Sequence, residues 1–457
     1  MISVLPILVA WAAGWFWVSA LRKGGGEPPL ARRALDISLA LPFGLGATSA
    51  LFFVLLWGGL SPRIAAILSD GLWLAGGGAL WWLRGRGPRA GAEQAGDVRA
   101  AGFRWVWMGW IGLAVTAAFW AGSVVQTSKA VPQGDWDAWA IWNMRAKFLA
   151  ADGKWNGAIS PELIGRSHPE YPLLWSGVVA KAWSWSGSLG NSLAPTVAGA
   201  LASAGLASLL LAGLWVMRGE ASGLMAALVL MTTASFWQYS PVQYADIPLA
   251  LFMLAALCCA VLAESRGWDP GLMALSGALA SMAAWTKDEG VVFFAALGVV
   301  LLAVARRRAL FWAVAALPVL VVIAVFKVFL APPFAAWSPS HLAEFGRLVL
   351  ILKTAGYELL QLDSFPAHPI AAAATCAALL GFRRPARPLW PLVPVALLSA
   401  GYVGAFWMTT SDLIWHLQTA AGRLLLQITP LSLFCLFLLL RSPVDGADSA
   451  ATSRRKR

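Results

Sequence analysis

Pro172-Leu173-Leu174-Trp175-Ser176-Gly177-Val178-Val179-Ala180-Lys181-Ala182-Trp183-Ser184-Trp185-Ser186-Gly187 is a short apolar run with one cation, Lys181, among its tryptophans and serines. A helix needs about 17–25 apolar residues to cross a bilayer. The runs on either side meet that length, and this one falls short of it. Counted as a crossing, it would turn Arg218, Arg266 and Arg306–Arg308 to the opposite side from the other cation-rich connections. Read as a re-entrant or interfacial helix that begins and ends on one face, it returns them to the common side. That choice sets the parity of every later span.

The longer apolar runs lie near 3–20, 36–59, 64–83, 105–126, 191–217, 221–239, 246–263, 271–286, 290–305, 309–330, 367–382, 389–409 and 424–440. The 457-residue chain is 59% hydrophobic and 12% charged, with a mean hydropathy of +0.69. Soluble domains carry about 25% charged residues, so the expected fold is all-α and polytopic, with about 13 transmembrane helices. Interfacial helices are expected in the first large outer loop, about 127–190. The net charge of +12 does not point to nucleic acid, because the cations sit in short connections: Arg22/Lys23/Arg32/Arg33, Arg84/Arg86/Arg89/Arg99/Arg104, Arg218, Arg266, Arg306/Arg307/Arg308, Arg383/Arg384/Arg387 and the tail Arg454-Arg455-Lys456-Arg457. The positive-inside rule places these in the cytoplasm, with the N-terminus outside and the C-terminus inside. The first run lacks a basic leader and a small-residue cleavage site, so it is not read as a cleaved signal peptide. Cys258, Cys259, Cys376 and Cys435 lie in apolar runs without metal-ligand spacing and read as core thiols.

On this topology the polar residues gather on the outer face. Asp135-Trp136-Asp137 follows the fourth span and opens a segment, 135–149, with the spacing of an amphipathic interfacial helix whose Arg145 and Lys147 reach the headgroup level. Its tryptophans read mostly as an aromatic belt. Its two carboxylates do not, since an acid near the bilayer is disfavoured unless paired or functional. His168-Pro169-Glu170-Tyr171-Pro172 closes the same loop. Tyr244-Ala245-Asp246-Ile247-Pro248 starts the seventh span, where Asp246 also suits a helix cap. Trp285-Thr286-Lys287-Asp288-Glu289-Gly290 forms the turn between the eighth and ninth. A loop at about 331–366 holds His341, Glu344, Lys353, Glu358 and Asp363, and Asp412, His416, Gln418 and Arg423 precede the last span. The plain alternatives are solvated loops, and an ion-paired turn at Lys287-Asp288-Glu289. His341 and His368 carry no assignment.

The order of these pieces resembles the GT-C glycosyltransferases, polytopic enzymes that use polyprenyl-phosphate sugars and include protein O-mannosyltransferases and the lipid A aminoarabinose transferase. The resemblance runs from about 105 to 440. It rests on Asp137-Ala138-Trp139 through Arg145-Ala146-Lys147, Tyr171-Pro172-Leu173-Leu174, Tyr244-Ala245-Asp246, Trp285-Thr286-Lys287-Asp288-Glu289-Gly290 and the late His416…Arg423…Pro430 order. It implies an inverting transfer of a sugar from a polyprenyl-phosphate donor to a hydroxyl of a glycan, lipid or protein on the periplasmic side of a bacterial inner membrane. Asp137, then Asp135, is the expected general base, since a positioned carboxylate serves that role. Lys287, Arg423, His416 and Arg145 are expected on the donor phosphate, where fixed cations stabilise a leaving anion. His168, Glu170, Tyr171 and Tyr244 are expected to contact substrate, and Asp246, Asp288 and Glu289 form a candidate Mg or Mn set. Two features depart from the family. Asp137 is followed by alanine rather than a second acid, which puts metal binding there in question. Three spans in 1–104 precede the core, and only a basic cytoplasmic tail, 441–457, follows it.

Two other classes are weighed beside this one. A transporter or flippase for a lipid-linked glycan would place charges at the midplane of repeated, broken helices, and the chain shows neither repeat nor midplane acids. An O-antigen ligase or polymerase would rely on arginine and histidine in one large outer loop. The acid-bearing first loop argues against it, whereas His416 and Arg423 argue for it.

Overall fold

Leu174–Ser186 is a helix of 13 residues, about 20 Å long at about 1.5 Å per residue. A hydrocarbon core is about 30 Å thick, so this helix is too short to cross it. Gly187, left-handed at φ 64°, ends it, a conformation that glycine adopts at no steric cost. The expected short, non-spanning element is therefore present, but it does not lie on a surface. Leu174 to Ser184 are all buried, and the Lys181 ammonium is ion-paired with Asp70 and donates to Thr48 Oγ1 at 2.6 Å.

The computed structural model describes residues 2–22, 24–85, 106–334, 337–360, 369–383 and 389–442. In chain order the helices are α1 Leu5–Leu21, α2 Pro29–Trp57, α3 Pro62–Gly85, α4 Val106–Ala130, α5 Asn143–Ala150, α6 Leu174–Ser186, α7 Leu193–Arg218, α8 Glu220–Met231, α9 Ala234–Tyr239, α10 Asp246–Ser265, α11 Pro270–Thr286, α12 Asp288–Ala305, α13 Ala309–Val325, α14 Phe345–Leu360, α15 Pro369–Leu380, α16 Leu392–Met408 and α17 Leu413–Leu439. Among the described residues there is no strand, only three isolated bridges. Lys23, Arg86, Arg89, Arg99, Arg104, Asp363, His368, Arg384, Arg387 and the tail from 443 lie outside the described residues, as does the start of the run expected at 367–382.

Seven helical stretches among the described residues are long and apolar enough to cross a membrane, and four shorter helices are apolar. One of the seven, Asp288–Leu330, holds the two runs expected at 290–305 and 309–330. Arg306, at φ 50°, turns the chain between them, and the stacked rings of Phe294 and Trp312 show α12 and α13 side by side. The run expected at 221–239 is divided at Thr232-Thr233, whose hydroxyls bond back to Leu228 O and Leu230 O. Such back-bonding competes with the helical ladder. The last span is longer than expected: Asp412 caps Trp415 N–H at 2.8 Å, so α17 starts at Leu413 and carries His416 and Arg423 on the helix itself.

Helix α10 is buried along its length from Asp246 to Ala263, against α7, α11 and α17. A helix that is apolar all round belongs inside a bundle. At the periphery the order reverses: Trp107, Ile111 and Phe119 on α4 and Leu310, Val314 and Leu317 on α13 are exposed. Apolar faces of that extent fit a lipid bilayer. The four cysteines are all buried and free.

Candidate functional site

The chain leaving α4 turns at Gly134, whose φ is 77°. A Cβ there would meet Val242 O at 2.5 Å, so only glycine lets the first loop lie against the segment before α10. Asn143 Nδ2 then donates to Gln243 Oε1 at 3.0 Å, and Gln243 Nε2 donates to Thr196 Oγ1 at 3.0 Å. Gln243 itself sits at φ 65°, an uncommon conformation for a side-chain-bearing residue and one that gathers at functional sites. This stitching sets Asp135 and Asp137 beside Tyr244 and Asp246.

Asp137 is ion-paired with Arg423 of α17, and the Arg423 guanidinium lies 5.3 Å from the centre of the Tyr244 ring, within cation–π range. Four residues on from Arg423, on the same face of α17, Gln427 Nε2 donates to Asp246 Oδ1 at 2.6 Å. Tyr402 of α16 donates to Gln427 Oε1. Asp246 also takes the Lys287 ammonium at 3.0 Å, and Lys287 reaches Glu289 at 3.0 Å. The contacts to Asp246 all fall on its Oδ1, while its Oδ2 is buried without a hydrogen-bond partner. Residues from α10, α12, α16, α17 and two loops form one continuous polar network.

A second arm joins it from the end of the first loop. His168 Nδ1 lies 2.8 Å from Glu170, and its ring stacks on Tyr171 at 4.5 Å. Tyr171 stacks in turn on Trp142 at 6.0 Å. Lys327 binds Asp288 at 2.7 Å and donates to Glu170 O at 2.8 Å. The Tyr171 phenol is held well above its ordinary value by burial, with Glu289, Asp288 and Glu170 adding to it. Tyr244 is raised by burial and by Asp137 and Asp135. Both phenols therefore remain protonated donors at neutral pH. Burial alone would lower Lys287, but Asp246 and Glu289 hold it above its ordinary value, so it is a fixed cation.

Two expected residues stand differently. Arg145 is 0% exposed; its guanidinium donates to the carbonyls of Ala158, Pro169, Tyr171 and Pro172 at 2.6–3.4 Å. It clamps the loop end against α5 through four backbone acceptors. His416 Nδ1 lies 3.0 Å from Thr409 Oγ1, with its ring edge-on to Phe406 at 4.9 Å. Asp135 is exposed and accepts from Trp136 N–H at 2.7 Å. In the stretch expected to be an amphipathic helix, Ala138–Trp142 is a π-helix leading into α5. There Trp136 and Trp139 are exposed and Trp142 is buried.

The carboxylates expected to hold Mg or Mn are each paired with an ammonium group. Asp246 and Glu289 share Lys287, and Asp288 is paired with Lys327. Among the described residues no three His, Cys, Asp or Glu side chains are grouped to hold an ion.

Helical throughout its described parts and faced with apolar residues, the chain is a multi-pass membrane protein with a polar cluster at one end of its bundle. Comparison with known proteins gives no matching family model, no matching curated protein and no matching solved structure.

Proposed function

We propose that the chain is an inverting glycosyltransferase that moves a sugar from a polyprenyl-phosphate donor to an acceptor hydroxyl at the outer face of a bacterial inner membrane. In this reading about 13 spans carry the site, with the N-terminus outside and the C-terminus in the cytoplasm. The observation that supports it best is the Asp137–Arg423 pair, which joins a carboxylate from the first loop to a cation from the last helix. Such a reaction needs both a base for the acceptor and a ligand for the departing phosphate, and the pair brings one of each to a single site.

The roles follow from that pair. A donor phosphate arriving at Arg423 takes over its guanidinium, in the bidentate geometry arginine forms with phosphate, and frees the Asp137 carboxylate. Asp137 then accepts the proton of the acceptor hydroxyl, and the hydroxyl oxygen bonds to the anomeric carbon from the face opposite the phosphate. The anomeric carbon–oxygen bond breaks, and its electron pair leaves on the polyprenyl phosphate, which inverts the centre. Lys287 and His416 add positive charge or hydrogen bonds on the phosphate side. Tyr171, Tyr244, His168 and Glu170 offer ring faces and polar edges to the sugar. The acceptor is a glycan, a lipid or a protein.

Transfer from prenyl-phosphate sugars is to be measured in membranes carrying wild type, Asp137→Asn, Asp135→Asn and Arg423→Gln at matched expression. Loss of a general base costs about 10²–10⁴ in rate, so Asp137→Asn is expected to fall by that factor and Asp135→Asn by far less. Full activity in both Asp variants would sink the assignment of a base to this loop.

A further inference from the structure

Helix α14 packs against α16 and α17. Ile351 enters a small core with Phe406, Leu413 and Leu417. Arg347, one turn earlier, donates to Trp407 O at 3.2 Å and to Thr409 O at 2.9 Å, which pins the start of α14 to the end of α16. Glu358 follows Ile351 by two helical turns, so it lies on the same packed face. Phe345, Leu352 and Tyr357, on the other sides of the helix, are exposed.

Glu358 faces the last residue of α9 and one turn of α17. A Cβ at Gly422 would stand 4.0 Å from Glu358 Oε2, 3.4 Å from the Tyr239 hydroxyl and 3.8 Å from Tyr239 Cε2. These are ordinary contact distances, so packing does not demand glycine there. Its missing side chain leaves a notch between a phenol and a carboxylate. Tyr239 stacks on Tyr244 at 6.2 Å, and Tyr244 carries the Arg423 guanidinium over its ring. The charges that bear most on the Tyr239 hydroxyl are those of Arg423, Asp246, Glu358 and Asp135. The notch is thus continuous with the candidate site and one residue from Arg423, and the transfer described above uses neither Tyr239 nor Glu358. Glu358 takes part in a further interaction, which does not exhaust a carboxylate with about four acceptor positions.

We infer that Tyr239, Gly422 and Glu358 form a subsite for the sugar ring of the lipid-linked donor, an inference that rests on the transfer reaction proposed above. With the donor phosphate on Arg423, the sugar joined to it lies beside Tyr244 and Tyr239. A sugar brings hydroxyl donors and apolar ring faces. The notch answers with a carboxylate oxygen that accepts, a phenol that donates or accepts, and two stacked tyrosine rings as a wall. Aromatic walls with a few converging polar groups are how small-ligand sites are built. A second phosphate does not suit the place, because Glu358 and Asp135 both bring negative charge to it. A hydroxyl near the Gly422 position reaches Tyr239 and Glu358 together, and a site built to bond a hydroxyl rejects an analogue that lacks it. Helix α14 therefore selects the sugar, while the Asp137–Arg423 pair serves the chemistry.

The full-length protein in neutral detergent is titrated with bare prenyl phosphate and with prenyl phosphate carrying glucose, mannose or arabinose, and binding is read by native mass spectrometry. In wild type at least one glycosylated lipid is expected to bind more tightly than the bare lipid, by about tenfold to a hundredfold, the worth of one hydrogen bond to a charged group. Gly422→Ala puts a methyl into the notch without a clash, and alanine is the better helix former, so the variant should fold. It and Glu358→Gln are each expected to cut the glycosylated-to-bare ratio about tenfold. A wild-type ratio of one for every sugar, or a ratio unchanged in both variants, would overturn the subsite. Transfer from the same lipids in membranes separates this from the reaction it rests on. A ratio lost in the variants, with no transfer by wild type, keeps the subsite and removes the reaction. Transfer by wild type, with a ratio that neither variant alters, does the reverse. If Glu358→Gln does not fold, Gly422→Ala decides alone.

Discussion

Lys287 carries the most charge traffic of any residue in the site. It is 4% exposed and sits between Asp246 and Glu289. Removing one member of a buried ion pair leaves the other uncompensated, at a cost of about 3–5 kcal/mol. Lys287→Met is therefore expected to lower the unfolding temperature strongly, and the double variant Lys287→Met/Asp246→Asn to recover much of the loss, as a thermal double-mutant cycle reads directly. The pH dependence follows from the raised Lys287 value. A cation stabilised by folding contributes fully below its unfolded value of 10.5 and loses that contribution as pH rises through the folded value. Stability from this pair should stay level from neutral pH to about 10 and fall only beyond it, which a pH series of unfolding temperatures checks. Single acids and cations were legible in the sequence because a charge in an apolar chain has to be explained. Gln427, Tyr402 and Gln243 were not, since neutral polar residues in apolar runs look like ordinary helix content. Lys327 did carry a signal, being a cation inside the run expected at 309–330, and its pairing with Asp288 was the part that could not be read. The carbonyl partners of Arg145 were equally hidden, because no side-chain pattern reveals backbone acceptors.

Helix boundaries are set by local chemistry, and helix contacts by small residues. Gly277 of α11 passes so close to α13 that a Cβ would stand 2.0 Å from Trp312 O. Gly78 of α3 has open space around the same position. Overpacking a tight contact costs about 1–3 kcal/mol, whereas alanine for glycine in an open helix stabilises by about 0.5–1 kcal/mol. Gly277→Ala should therefore unfold earlier than wild type and Gly78→Ala no earlier, in the same detergent. At this scale the sequence was most informative where periodicity was backed by length, as for α2, α7 and α10. It was least so where capping decided. The Asp412 cap extends α17 over His416 and Arg423, which the sequence had suggested to be loop residues. Two threonines divide α8 from α9 within a single apolar run. The depth of α6 was also hidden, because its partners for Lys181 come from α2 and α3, more than a hundred residues away.

The molecule as a whole is polarised. Carboxylates of the first loop, α10 and α12 meet cations of α11's end, the turn after α13, and α17 at one end of the bundle, while Arg22, Arg32, Arg218, Arg266 and Arg383 gather at the other. If the positive-inside rule governs this chain, the arginine end faces the cytoplasm and the Asp137 end faces out. The buried cysteines make that testable with a single introduced thiol, because buried thiols react slowly. Glu162 and Arg307 are both exposed, the first in the loop that ends at α6 and the second in the turn between α12 and α13. In intact cells a membrane-impermeant maleimide should label Glu162→Cys, and should label Arg307→Cys only after permeabilisation. The opposite pattern would put the polar network in the cytoplasm. It would then withdraw the outer-face transfer reaction while leaving the fold untouched, since helix packing does not depend on which way the bundle points.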